Sequence, residues 1–187
     1  MTIDQILDNI YQLPESSKLS FKKSIIEVAY PKGHVLLLAD KIEDQVFFIK
    51  KGIARAYSKT ANIDITFWFG MEGDPVLSMK SYVSNQKGYE DVELLEDSIL
   101  YTIKTSELQQ LFEQDIHIAN WGRKLAEQEL VKTEERLISR QFKTATERYQ
   151  ELLKNNPDLI RRVQLGYIAS YLGISQVSLS RIRAEIK

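Results

Sequence analysis

The chain contains no cysteine. Disulfides, thiolate zinc sites, cysteine-ligated iron–sulfur clusters and cysteine nucleophiles are excluded with it. Histidine is scarce: only His34 and His117 occur, far apart, and no carboxylate cluster stands near either in sequence, so no metal site is expected. Long apolar runs are missing too. None approaches the roughly 18 residues that a membrane span needs. Met1-Thr2-Ile3-Asp4-Gln5 lacks the basic and apolar stretches of a signal peptide. A cytoplasmic protein without membrane contact is expected. No Ser/His/Asp arrangement, phosphate loop or metal constellation is visible, so neither an enzyme nor a catalytic residue nor a cofactor is expected. Glu90-Asp91 and Glu96-Asp97 read as solvated turns rather than paired catalytic carboxylates. A cupin-like metal barrel would need more histidines than His34 alone.

What is present is ordinary for a globular protein: 187 residues, 43% hydrophobic and 27% charged, enough for one large domain or two small ones. The formal charge of −1 conceals an asymmetry. Residues 140–187 hold nine Lys/Arg against four Asp/Glu. A basic end on an acidic body suits a polyanionic partner, although many solvated helices are basic.

Residues 3–27 read as helical, with Ile3, Ile6, Leu7 and Ile10 on one face and Pro14 opening a second short helix. Tyr30-Pro31-Lys32-Gly33 reads as a turn. Strands are predicted over 34–39, 45–50, 53–59, 63–69, 91–95 and 98–103, the fourth showing strict alternation of Ile63, Ile65, Phe67 and Phe69 with Asp64, Thr66 and Trp68. Many short strands point to a sandwich, jelly roll or barrel-like roll. Thr105 is expected to cap a helix ending near Phe112. A long helix then runs from about Ile116 toward Ser139. Ala119, Ala126, Leu130 and Leu137 form a heptad-like stripe on it, with Arg123, Thr133 and Arg140 at the intervening positions. The stripe is either a dimer seam or a face packed on the chain's own β domain; the helix length favours the seam. Thr144-Ala145-Thr146-Glu147 has the capping-box form, and Asn155-Asn156-Pro157 stops the helix that follows.

The last residues carry the sharpest local signal. Val163–Leu172 reads as a short helix with Leu165, Ile168, Ala169 and Leu172 inward. Gly173 stands where a helix end needs positive φ, and Ser175 can cap a second helix over 176–183. Leu179 and Ile182 face the first helix; Gln176, Val177, Ser180, Arg181 and Arg183 are left outward. This is the pattern of a helix-turn-helix, with a bundle's plain α-hairpin as the alternative.

Thr146-Glu147-Arg148-Tyr149-Gln150-Glu151-Leu152-Leu153, Asn156-Pro157, Ile168-Ala169-Ser170-Tyr171-Leu172-Gly173-Ile174-Ser175 and Leu179-Ser180-Arg181-Ile182-Arg183 resemble the Crp/Fnr family of transcription regulators, especially its short Bacteroidetes-type members. Tyr30-Pro31-Lys32-Gly33, Val46-Phe47-Phe48-Ile49 with Gly52, and Leu94-Leu95-Glu96-Asp97-Ser98 resemble its β-roll landmarks. The resemblance implies an α+β chain in three parts: a cyclic-nucleotide-binding-type β-roll over 1–115, a dimerisation helix over 116–140, and a helix-turn-helix domain over 141–187, winged-helix-like with its wing truncated. It also implies a homodimer on double-stranded DNA, with RNA polymerase as a candidate further partner and an effector that is not identified.

The departures from that family bear on the site. Members that bind cyclic AMP use a Gly-Glu pair for the ribose and an Arg-Ser pair for the phosphate. Here Gly73 is followed by Asp74, the positions nearest the second pair are Gly88 and Tyr89, and no arginine lies between Arg55 and Arg123. Without a bidentate cation a buried phosphate loses its anchor, with Lys80 and Lys87 as substitutes or solvated side chains. A degenerate effector pocket at Gly73, Asp74, Gly88 and Tyr89 is therefore expected, unresponsive to cyclic AMP by the usual mode. Gln176 and Val177 stand where the family often has Arg-Glu. Gln176, Val177, Ser180 and Arg181 are assigned to base edges, and Ser175, Ser178, Arg183 and Lys187 to phosphates. The alternative function is a ligand-sensing or protein-interaction module that does not read DNA.

Overall fold

The computed structural model describes residues 1–60 and 63–186. Two short helices, α1 (Ile3–Ile10) and α2 (Glu15–Lys23), lead into strands β1 (Ile26–Tyr30), β2 (Val35–Leu37), β3 (Gln45–Lys51), β4 (Ala54–Lys59), β5 (Asp64–Gly70) and β6 (Pro75–Val76). Helix α3 (Met79–Ser84) interrupts the strands, which resume as β7 (Asp91–Leu94) and β8 (Ser98–Lys104). Helices complete the chain: α4 (Thr105–Gln114), α5 (Ile116–Phe142), α6 (Ala145–Asn155), α7 (Pro157–Arg162), α8 (Leu165–Leu172) and α9 (Gln176–Glu185).

The strands form two four-stranded antiparallel sheets, ordered β1-β8-β3-β6 and β2-β7-β4-β5. Period-two alternation explains how they close into a roll. Phe47 and Ile49 of β3 and Leu100 of β8 point between the sheets, where they meet Ala54, Ala56, Val92 and Leu94. Val46, Phe48, Tyr101 and Ile103 point the other way, onto α1, α2, α4 and α5. Four consecutive buried residues in β3 thus reflect a strand covered on both faces. Trp121 anchors the helical layer. It is fully buried, stands edge-on to Phe21 and Phe48 with centroids 5.0 and 5.9 Å away, and donates its indole N–H to the Leu7 carbonyl at 3.0 Å.

The expected α+β architecture is present: a roll, a long helix and a C-terminal helical array. Several local readings need correction. Residues 26–30 are a strand, so Ile26 and Glu27 are not the tail of a helix; β1 is an edge strand in which Ile26 is exposed along with Glu27 and Ala29, so its hydrophobic pattern is weak. β6 and α3 were not foreseen, because two strand residues and six helical ones carry too little periodicity. Lys104 occupies the N-cap of α4, and Thr105 lies inside the helix. Pro157 both follows the end of α6 and opens α7, since its fixed φ suits the first helical turn. Thr60 precedes residues 61–62, which lie outside the described residues.

Glu90 and Asp91 are buried rather than solvated. Asp91 accepts from the Ala39 N–H at 2.8 Å and pairs with Lys59 at 2.6 Å. Burial pushes its pKa up, but these donors outweigh that and hold it below the ordinary value. Glu96 also has a partner, described below. Among the described residues no helix is long and apolar enough to cross a membrane, and no group of His, Asp or Glu is placed to hold a metal.

Candidate nucleic-acid interface

Local chemistry builds the end of the chain. Thr144 accepts from the Glu147 N–H and Glu147 accepts from the Thr144 N–H, which starts α6 with a full capping box. Gly173 ends α8 at φ +69°, a conformation that carries little cost only for glycine. Ser175 caps α9 by accepting from the Ser178 N–H at 3.1 Å. Ile168, Ala169 and Leu172 of α8 pack on Leu179 and Ile182 of α9, with Tyr149, Leu152 and Leu159 completing the small core. Ala169 lets the helices approach closely. The result is a tight helical pair whose second helix turns its other face outward.

That outer face can be read atom by atom. Gln176, Val177, Ser180, Arg181 and Arg183 are exposed. Neither Arg181 nor Arg183 has a carboxylate within 4 Å among the described residues. The Gln176 amide oxygen lies near α8, 3.5 Å from where a Cβ on Gly166 would stand. Ser180 donates its hydroxyl proton to the Gln176 carbonyl at 2.9 Å, so only its acceptor lone pairs face out. Ser175 and Ser178 hydroxyls bond each other at 2.9 Å, which shares one donor between two groups assigned to phosphates. Lys187 lies outside the described residues.

The expected seam residues lie along one side of α5, which at 27 residues is about 40 Å long. Ala126, Leu130 and Leu137 are exposed, Leu130 to 69%, whereas Ala119 is half-buried. Val131, Ile138 and Phe142 are exposed as well and widen the apolar surface beyond the expected stripe. A strict heptad template hid them, because Val131 and Ile138 fall one residue off its positions and Phe142 two.

The four expected effector residues lie on two segments, Gly73 and Asp74 just before β6 and Gly88 and Tyr89 just before β7. Gly73 takes φ +99° in the turn before β6, and Asp74 faces Lys132 of α5 at 3.4 Å. Gly88 is buried, and a Cβ there would stand 2.6 Å from the Ser78 hydroxyl. Tyr89 is exposed with its ring 6.1 Å from Phe67. Among the described residues no hydrogen bond joins Gly73 or Asp74 to Gly88 or Tyr89.

Other residues, not singled out from sequence, tie the helical array to the roll. β5 is a sheet edge, and α8 covers it. Ser170 accepts from the Thr66 N–H and donates to the Asp64 carbonyl, both at 2.9 Å. Arg162 of α7 reaches Glu72 at 2.7 Å and also pairs with Glu96. Burial pushes Glu72 up, but the Arg162 and Gly52 donors overcome it and bring its pKa to about 2; the same pairing raises that of Arg162. Arg55 is 1% exposed and stacks between Tyr57 at 4.0 Å and Tyr167 of α8 at 3.9 Å. Arg148 donates to the Lys143 carbonyl at 2.6 Å and the Leu172 carbonyl at 2.8 Å, joining the ends of α5 and α8.

Comparison with known proteins bears on this arrangement. Residues 27–115 match the family model of the cyclic nucleotide-binding domain. No curated relative matches the chain by sequence. The structure of FixK2 from Bradyrhizobium japonicum is similar at TM-score 0.74 and 21% identity, over 87% of this chain and 84% of that one. A CooA mutant from Carboxydothermus hydrogenoformans gives TM-score 0.72 and 17% identity over 99% and 84%. A Crp/Fnr-family transcriptional regulator from Eubacterium rectale gives 0.72 and 16% over 93% and 85%. At such identities the likeness is one of fold.

Proposed function

We propose that this chain, which carries a cyclic nucleotide-binding domain within the fold of Crp/Fnr-type regulators, is a cytoplasmic transcription regulator that binds DNA as a homodimer. One observation carries the reading: α9 is capped at Ser175, packed by Leu179 and Ile182, and turns Gln176, Val177, Ser180, Arg181 and Arg183 to solvent with both arginines free of carboxylates among the described residues. Free guanidinium groups on an exposed helix are what a major groove and its phosphates require. Arg181 and Gln176 are assigned to base edges, since Arg pairs bidentately with guanine and Gln with adenine. Ser180 accepts from a base amino group, and Val177 touches a thymine methyl. Arg183, Ser175, Ser178 and Lys187 are assigned to phosphates. The apolar face of α5, from Ala126 and Leu130 to Leu137, is assigned to the partner protomer.

Binding titrations on genomic fragments test the proposal. A salt-dependent complex with a subset of fragments, far tighter than with scrambled DNA, is expected. Equal affinity for all DNA, or none, overturns it in favour of a sensing or interaction module. The roll is assigned no cyclic-nucleotide response by the usual anchors, because no arginine lies between Arg55 and Arg123 in the sequence. Calorimetry is expected to show no micromolar binding of cyclic AMP or cyclic GMP inside the roll.

A further inference from the structure

A cleft of about 470 Å³ lies where β5, the C-terminal half of α5 and the helices α6 and α8 meet. That is within the range of small-molecule sites. Asp74 stands on its wall, but Gly88 and Tyr89 do not line it.

Its existence follows from a change along α5. At the N-terminal end Ile118, Trp121 and Leu125 turn one helical face into the core. The same face, two turns on, carries Lys132, Arg136 and Ser139. Charged and polar side chains cannot close an apolar core, so the gap between α5 and the roll stays open there.

The walls differ in chemistry. The roll contributes Phe67 and Trp68, both half-buried, and α8 contributes Tyr171, whose ring tilts on Phe69 at 5.2 Å. The opposite wall holds Arg136, Arg140 and Arg148. Most other charges in the cleft are matched. Lys132 pairs with Glu129 and Asp74, and Glu151 accepts from Lys143 and Ser139. Glu135 stands at the rim, exposed and without a cation within 4 Å among the described residues. Arg136 donates to the Thr133 hydroxyl alone, and Arg140 has neither a hydrogen bond nor a carboxylate partner among the described residues. Arg148 is occupied by two carbonyl groups, yet its Nε is buried and unpartnered. Guanidinium groups lining a cleft with aromatic faces, with no carboxylate pairing Arg136 or Arg140 among the described residues, are complementary to an external anion attached to a flat ring.

We propose that this cleft binds a small aromatic anion, a phosphate or carboxylate carried on a flat ring system, with the anionic group on Arg136 and Arg140 and the ring against Trp68. The site is independent of whether α9 reads DNA. Its walls belong to the roll, to α5 and to the helix-turn-helix, so an occupant touches all three at once.

The test is calorimetry on the full chain with 1-naphthyl phosphate as probe, inorganic phosphate and 1-naphthol reporting the charge and the ring alone. Micromolar binding of 1-naphthyl phosphate is expected, with each fragment at least tenfold weaker. Arg136→Gln/Arg140→Gln is expected to weaken the probe at least tenfold and leave 1-naphthol unchanged; sedimentation of the variant controls for assembly. Quenching of tryptophan emission by the probe is expected in the wild type and not in Trp68→Leu, since Trp121 is fully buried. Lys80→Gln/Lys87→Gln, in the roll, is expected to bind as wild type does. The proposal is overturned by an absence of binding at millimolar probe, by unchanged affinity in the double arginine variant, or by loss of binding in the lysine variant, which would place the probe in the roll.

Discussion

Arg55 and Arg162 contrast with Arg181 and Arg183. Arg55 is buried between two tyrosine rings with Asp64 and Glu93 both at 3.3 Å, although its Nε contact to Glu93 lacks hydrogen-bond alignment. Arg162 bridges Glu72 and Glu96 of the roll. Arg181 and Arg183 sit on α9 with no anion beside them among the described residues. The basic character of residues 140–187 is therefore not one patch with one purpose. Part of it is consumed in docking the helical array on the roll, and part is left free on one helix. Net charge along the sequence cannot separate the two, because pairing depends on what lies opposite in space.

The contrast predicts that paired arginines govern stability and free ones govern binding. Arg55→Ala should have the largest effect. It leaves Glu93 partly buried without its cation and empties the space between Tyr57 and Tyr167, costing about 3 kcal/mol. Urea denaturation would measure this, and a loss near zero would mean that the stack is only a surface contact. Arg181→Ala should leave the urea midpoint almost unchanged while weakening specific DNA by roughly 1–3 kcal/mol and relaxing one position of each half-site. If cognate and scrambled DNA weakened equally, Arg181 would be a phosphate contact.

Arg162→Gln should cost about 1 kcal/mol near neutral pH, since its carboxylate partners are only half-buried. This pair also has a pH signature. Glu72 is held at about 2, below its ordinary 4.5, so its stabilisation is complete above the ordinary value and is lost as pH falls through about 2. Wild-type stability should thus fall more steeply than that of Arg162→Gln between those values, and the two curves should converge at the acid end. Parallel curves would separate the Glu72 titration from the bridge. Arg183→Ala is the smallest effect: no loss of stability beyond about 0.5 kcal/mol, the same weakening on every sequence, and a salt slope reduced by about one.

The parts legible in the sequence are those in which a few neighbouring residues decide the conformation. Gly173 must take positive φ, and Ser175 and Thr144 cap through residues three positions on. Each is a contest between local hydrogen bonds, side-chain entropy and one buried face, so short-range pattern is enough. Family likeness added the order of the parts. The buried state of Glu90 and Asp91 was not legible, because acid-rich text reads as solvent-facing until Ala39 and Lys59 are brought beside it.

By itself the sequence determined a strand-rich roll, a long helix and a capped helical pair whose outward residues are polar and cationic. Tertiary structure alone decided which cations remain free. Arg162 meets Glu96 and Glu72 across 66 and 90 residues, Ser170 meets Thr66 across 104, and Arg55 meets Tyr167 from the far side of the chain. The same packing left Arg136 and Arg140 lining an open cleft against Trp68. An ion pair or a stack is a property of two surfaces brought within 4 Å, and residue order along the chain fixes neither the partner nor the distance until the fold has closed.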